Sequence, residues 1–319
     1  MAEETRSKLA GFPVAFFAAV MGFAGLSLAW LKASETLGFS AIFGEILSWI
    51  TLALFVIIGA IYALKLLRFR GEVAKEFASP VRIHFFAAIS ISMLLIAMLP
   101  STETLHIAAA LWWIALVAQS AVTLYVVKFL IENAITVEHS SPSWFIPIVG
   151  NLVVPLSGIG FAPYELLYVY FSIGIFFWAV LFAIMLYRLI FHAQLAEKFI
   201  PTLFILIAPP AVAFLDMIKL LDVLSFSSLF FYNISLFFAI LLIVMFNQFM
   251  RLKFFISWWA FTFPMAALSI ATMTLHNSAN LMFLYLLSVL FLGFATLLVA
   301  IVGYKTIEAV AREQICVEE

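Results

Sequence analysis

Asn151 stands between Pro147 and Pro155 in an otherwise apolar stretch, and it carries the most distinctive chemistry in the chain. A carboxamide offers two N–H donors, so at this place it either donates to a passing anion or satisfies a carbonyl freed by Pro155. The sequence leaves both readings open. The other candidates are small and weakly polar: Gly22, Gly25 and Ser27, then Ser90 and Ser92, Ser157, and Thr262, Ser269 and Thr272. Such residues line a polar passage or simply let helices approach closely. Asp216 and Lys219 are three apart, which makes them neighbours on a helix and predicts a local ion pair at the mouth of a span. Five histidines are scattered, His84 beside Arg82 among them, and no carboxylate lies at ligand spacing. No metal site is expected from such a pattern. Cys316 is the sole cysteine, which excludes an internal disulfide or a cysteine metal site. No cofactor and no enzymatic chemistry are expected either.

The elements that must position these residues belong to a membrane. The chain is 66% hydrophobic and 10% charged, whereas a soluble domain is about 45–50% apolar and about 25% charged. Ten apolar runs lie at 12–31, 43–67, 81–99, 105–130, 144–161, 164–190, 201–221, 228–248, 254–274 and 280–304. A helix of about 20 apolar residues crosses a hydrocarbon core. Residues 1–319 therefore read as one integral membrane domain. The first run is longer than the apolar core of a secretory signal, about 7–15 residues, so no cleavable leader is expected.

Proline orders the runs. Of 11 prolines, Pro13, Pro80, Pro100, Pro142, Pro147, Pro155, Pro201, Pro209, Pro210 and Pro264 belong to or flank odd-numbered runs, and only Pro163 opens an even one. Inside a helix a proline removes one backbone hydrogen bond, and in lipid the freed group must be satisfied by protein or by a water-filled cavity. Pro147, Pro155, Pro209, Pro210 and Pro264 are the kinks that matter. The segregation predicts an all-α integral membrane fold: ten transmembrane helices as five hairpins, their broken members inside, around a central pore in each protomer. The middles of the odd runs hold no charged residue or histidine, which argues against a proton-coupled pump.

Fourteen Lys and Arg residues fall on the side of the N-terminus, in linkers such as Lys65–Lys75 and Arg251–Lys253, against Lys32 and Lys219 on the other. This positive-inside bias places both termini in the cytoplasm. Short basic loops against a bilayer explain the charge without any nucleic-acid partner.

The stretch Ser257-Trp258-Trp259-Ala260-Phe261-Thr262-Phe263-Pro264-Met265 resembles the tellurite-resistance/dicarboxylate transporter family, which includes the bacterial TehA proteins and is related to the slow-type anion channels of plant guard cells. Supporting segments in the same order are Ser79-Pro80-Val81-Arg82-Ile83-His84, Ser143-Trp144-Phe145-Ile146-Pro147 with Asn151, and Ala208-Pro209-Pro210-Ala211. The resemblance implies a homotrimer in a bacterial inner membrane, each protomer with its own pore for small inorganic anions such as chloride and nitrate. It also implies a phenylalanine gate, matched by Phe263 before Pro264, with Phe261 as runner-up. Two residues are about 200° apart on a helix, so only one of them faces a given pore. Ser92, Asn151 and Thr262 are the polar pore-lining candidates. The alternative function in this family is a secondary carrier of dicarboxylates or an exporter of tellurite oxyanion.

Overall fold

A segment in lipid must satisfy its backbone groups internally, and the apolar runs fold as helices. The computed structural model describes residues 8–314, so Arg6 and Cys316 lie outside the description. Among the described residues every regular element is helical. In chain order the main helices are α1 (Val14–Leu37), α2 (Ile42–Arg68), α3 (Arg70–Ala78), α4 (Ile83–Ile96), α5 (Ala108–Glu132), α6 (Pro142–Gly158), α7 (Tyr164–Phe191), α8 (Glu197–Leu221), α9 (Phe226–Val244), α10 (Ile256–Ala279) and α11 (Met282–Ala311).

Eight helices are long and apolar enough to cross a membrane, and α3 with α4, bent by 113°, makes a ninth if the pair is one span. Of the ten expected spans, eight or nine thus have the length and composition of a crossing helix among the described residues. The runs at 81–99 and 144–161 give only the shorter helices α4 and α6. Proline is the reason: Pro80 and Pro100 bracket α4, while Pro142, Pro147 and Pro155 interrupt α6. Beyond the end of α4, the Thr102 hydroxyl donates to the carbonyls of Ile96 and Leu99 at 2.9 and 2.8 Å.

The odd runs differ from the even ones in backbone as well as in composition. Each odd run opens with a 3-10 segment, at Val14–Phe16, Ile83–Phe86, Pro142–Trp144, Glu197–Leu206 and Ile256–Phe261, before turning α-helical. The even helices α2, α5, α7, α9 and α11 are α-helical throughout. Burial follows the same division. In the most apolar stretch of α1, α8 and α10, 61%, 83% and 67% of residues are buried, against 22% in α2 and α7, 28% in α5, 39% in α9 and 33% in α11. Each odd helix packs on the even helix after it, and the odd helices also touch one another in a closed cycle from α1 through α4, α6, α8 and α10 back to α1.

Glycine makes the tightest of these contacts. A Cβ on Gly22 would stand 2.3 Å from Thr262 Oγ1, and one on Gly25 would stand 3.1 Å from Phe263 Cδ2. Close packing of α1 on α10 is therefore what these two glycines provide.

Lys65, read from the sequence as a linker residue, is buried instead. Its ammonium donates to Glu76 Oε2 at 2.9 Å and to the Phe12 carbonyl at 2.8 Å, and the Tyr62 hydroxyl donates to the same carboxylate oxygen at 2.8 Å. This cluster ties α2 and α3 to the start of α1.

Candidate functional site

A cavity of about 80 Å³ lies among the odd helices, where their 3-10 turns pass into α-helix. Its wall is built from residues three apart: Ala15 and Ala18 on α1, Phe85 and Ala88 on α4, Ile146 and Val149 on α6. Ile205 and Ala208 on α8 and Ala260 and Phe263 on α10 complete it. Residues three apart share one face in a 3-10 turn and in an α-helix alike, so each broken helix presents one stripe. No charged side chain lines the cavity. Its one hydroxyl, Ser257 Oγ, donates to the Lys198 carbonyl at 2.5 Å.

Phe263 lies in this wall, partly buried, with its ring against Gly25. Phe261 points elsewhere: it is 5% exposed, with its ring 4.7 Å from that of Phe204, 5.6 Å from Trp258 and 5.7 Å from Phe249. Of the kink candidates, Pro209 and Pro264 line the cavity. Pro147, Pro155 and Pro210 are buried in their helices, away from the wall.

The polar candidates are engaged with backbone rather than with the cavity. Ser92 Oγ donates to the Phe17 carbonyl at 3.2 Å and Thr262 Oγ1 to the Trp259 carbonyl at 2.7 Å. Asn151 Nδ2 donates to the Ile148 and Pro147 carbonyls at 2.5 and 3.3 Å and to Thr123 Oγ1 at 3.1 Å. Pro155 frees the carbonyl of Asn151 itself, by the missing bond one turn back; the amide instead serves the turn before it.

The ion pair expected between Asp216 and Lys219 does not form. Asp216 is fully buried and neither carboxylate oxygen has a hydrogen-bond partner, while the exposed Lys219 reaches the Leu156 carbonyl at 3.3 Å. The two stay neighbours on one side of the helix, Asp216 under the protein and Lys219 at its exposed edge. An odd run thus does carry a buried carboxyl. His84 is likewise buried, its ring stacked 5.3 Å from that of Trp144.

Two polar residues that the sequence reading passed over join the site's wall to a smooth helix. Gln119 and Thr123, on α5, both donate to the Pro147 carbonyl, at 2.7 and 2.9 Å. Their signal was available: an amide and a hydroxyl four apart in an apolar helix share one face.

The sequence pattern of the SLAC1 family, described as voltage-dependent anion channels, matches residues 11–307. The chain belongs to the SLAC1 family. This member is 28% identical over 316 residues to the S-type anion channel SLAH2 of Arabidopsis thaliana, a match that covers 96% of the chain and 61% of the relative. An uncharacterized transporter of Methanocaldococcus jannaschii is 25% identical over 285 residues, covering 82% of the chain and 83% of the relative. A tellurite resistance protein TehA homolog of Haemophilus influenzae is 28% identical over 202 residues, 63% of the chain and 61% of the relative. Both branches of the resemblance are thus present among the relatives. The chain spans 61% and 47% of the lengths of the plant channels SLAH2 and SLAH3. This SLAC1-family chain is an integral membrane protein, helical in every regular element among the described residues.

Proposed function

We infer that this chain conducts small monovalent anions, chloride and nitrate among them, through a passage that Phe263 closes. The observation that carries the reading is the cavity: all five broken helices touch it, Phe263 stands in its wall, and no charge lines it. An aromatic ring across a narrow apolar constriction excludes water and ions by volume and by dewetting, and a rotamer change reopens the way. In this reading the ten runs all cross the bilayer as five hairpins around the cavity. The broken helices line the pore, both termini lie in the cytoplasm, and three such protomers assemble in a bacterial inner membrane. A link to tellurite resistance follows from the TehA relative's name alone.

With no fixed charge at the constriction, dehydration decides selectivity. Nitrate and iodide pass more readily than chloride, and sulfate and dicarboxylates pass poorly. The test is current through the purified protein in planar bilayers, wild type against Phe263→Ala. Removing a packed aromatic ring costs about 3–5 kcal/mol, but a ring beside a cavity has fewer partners to lose, so the variant assembles and conducts strongly. Phe261→Ala stays nearly silent and loses stability. Saturable dicarboxylate flux without current would transfer the chain to the carrier reading.

A further inference from the structure

The smooth helix α5 carries a polar cluster directly behind the cavity wall. Gln119 is fully buried; its Oε1 accepts from Ser90 Oγ at 2.7 Å, and its Nε2 donates to the Pro147 carbonyl at 2.7 Å and to Thr123 Oγ1 at 3.2 Å. The same carbonyl also accepts from Thr123 Oγ1 at 2.9 Å and from Asn151 Nδ2 at 3.3 Å. A carbonyl oxygen has two lone pairs, so three donors crowd one acceptor and one of them is surplus. Chemistry fixes which end of the amide faces it, because a carbonyl can only accept.

Gly150 separates this amide from the cavity. A Cβ at Gly150 would lie 3.1 Å from Gln119 Nε2 and 2.6 Å from Ile91 Cδ1. Gly150 and Ile91 both line the cavity. The nitrogen therefore comes within one residue of the wall, with the flexible end of the Ile91 side chain packed beside it over the glycine.

We propose that Gln119 is the polar contact of an anion in this cavity. Its Nε2–H turns from the Pro147 carbonyl past Gly150, with a shift of the Ile91 side-chain end, to an anion that has shed part of its water, and returns when the anion leaves. The Pro147 carbonyl keeps Thr123 and Asn151, so the exchange leaves no buried acceptor unsatisfied. Ser90 holds Oε1 as the pivot. A neutral amide suits conduction, which needs binding favourable enough for entry and weak enough for exit. The proposal rests on the anion-channel reading and names the residue that meets the ion.

The experiment uses the full chain with Phe263→Ala as background, whose current is measured first in planar bilayers with nitrate and chloride. Gln119→Met keeps the length of the side chain and removes the donor. Conductance falls about two- to tenfold, the worth of one hydrogen bond, and the nitrate-to-chloride permeability ratio from reversal potentials changes. Gln119→Glu keeps the shape and adds a repelling carboxyl, and conductance falls by about tenfold or more. Ser120→Ala, whose hydroxyl pairs with Tyr170 on another face, leaves the ratio unchanged. Background conductance and permeability ratio retained in Gln119→Met overturn the proposal while the channel reading stands. If Gln119→Met fails to assemble, undiminished conductance in Gln119→Glu overturns it. A background without current removes the channel reading, and the proposal with it.

Discussion

Helices α7 and α8 follow one another in the chain, with mean hydropathies of 2.4 and 2.0, yet 22% of the apolar stretch is buried in one and 83% in the other. Hydropathy does not separate them. Proline does: α7 has one only at its cap, Pro163, whereas α8 contains Pro201, Pro209 and Pro210. Hydropathy puts a helix into lipid, and an interrupted backbone then moves it inward, because its freed carbonyls need donors that lipid lacks. The smooth helices also donate to backbone carbonyls of the broken segments. Ser235 on α9 donates to the Ile207 carbonyl at 2.9 Å, Gln119 and Thr123 on α5 to that of Pro147, and Lys65 on α2 to that of Phe12. Inner and outer helices are thus joined by hydrogen bonds from side chains of one to backbone of the other.

The strongest way to break that division is at its charged join. Lys65→Met leaves Glu76 buried and unpaired, for a loss of about 3–5 kcal/mol, read as the unfolding free energy in mixed micelles. The double variant Lys65→Met with Glu76→Leu recovers much of it, since a buried pair replaced as a pair is often neutral. A single variant as stable as wild type would show that this buried cluster does not hold α2 and α3 to the start of α1.

Next in size is a proline placed on the wrong side of the division. Val117, mid-way along α5, is 68% exposed, so Val117→Pro disturbs little packing, but it removes a backbone bond that no neighbouring donor replaces. The expected cost is about 3 kcal/mol or more. Pro209→Ala in α8 changes stability by about 1 kcal/mol or less, because the helix already changes there from 3-10 to α. Equal costs at the two sites would mean that the breaks are not specially sheltered.

Much of this division was legible in the chain, and the misses have physical causes. Proline positions foretold which helices are buried, since backbone interruption has a fixed cost in lipid wherever it occurs. They did not foretell that α4 and α6 fall short of full length, because a break also shortens the helix that contains it. The spacing of Asp216 and Lys219 made them neighbours, but spacing does not say which face of α8 meets protein. Burial of Lys65 depends on Glu76, brought from α3 by a chain reversal that no local pattern encodes. Asn151 drew attention as a lone amide, while Gln119 was passed over because it lies on a smooth helix. Phe263 was singled out by its place before Pro264 and by resemblance, and it stands in the cavity wall.

The smallest effect is also the cleanest comparison, because one substitution is made on each side of the division. Gly22 on α1 faces Thr262 Oγ1 and Cβ and Trp259 Cε3, which a new Cβ would meet at 2.3, 3.0 and 3.1 Å. Gly59 on α2 has nothing within 4 Å of the same position. Alanine improves helix propensity at both sites by about 1 kcal/mol. At Gly22 that gain is outweighed by overpacking of about 1–3 kcal/mol, since the Thr262 side chain and the Trp259 ring leave the methyl no room, so Gly22→Ala destabilises. Gly59→Ala stabilises slightly. The opposite signs, read as shifts in unfolding midpoint, are the prediction. Adding Thr262→Ala to Gly22→Ala removes the 2.3 Å contact and restores part of the loss. Should Gly22→Ala and Gly59→Ala shift the midpoint in the same direction, α1 does not pack on α10 as closely as this geometry requires, and the inner ring loses its tightest contact.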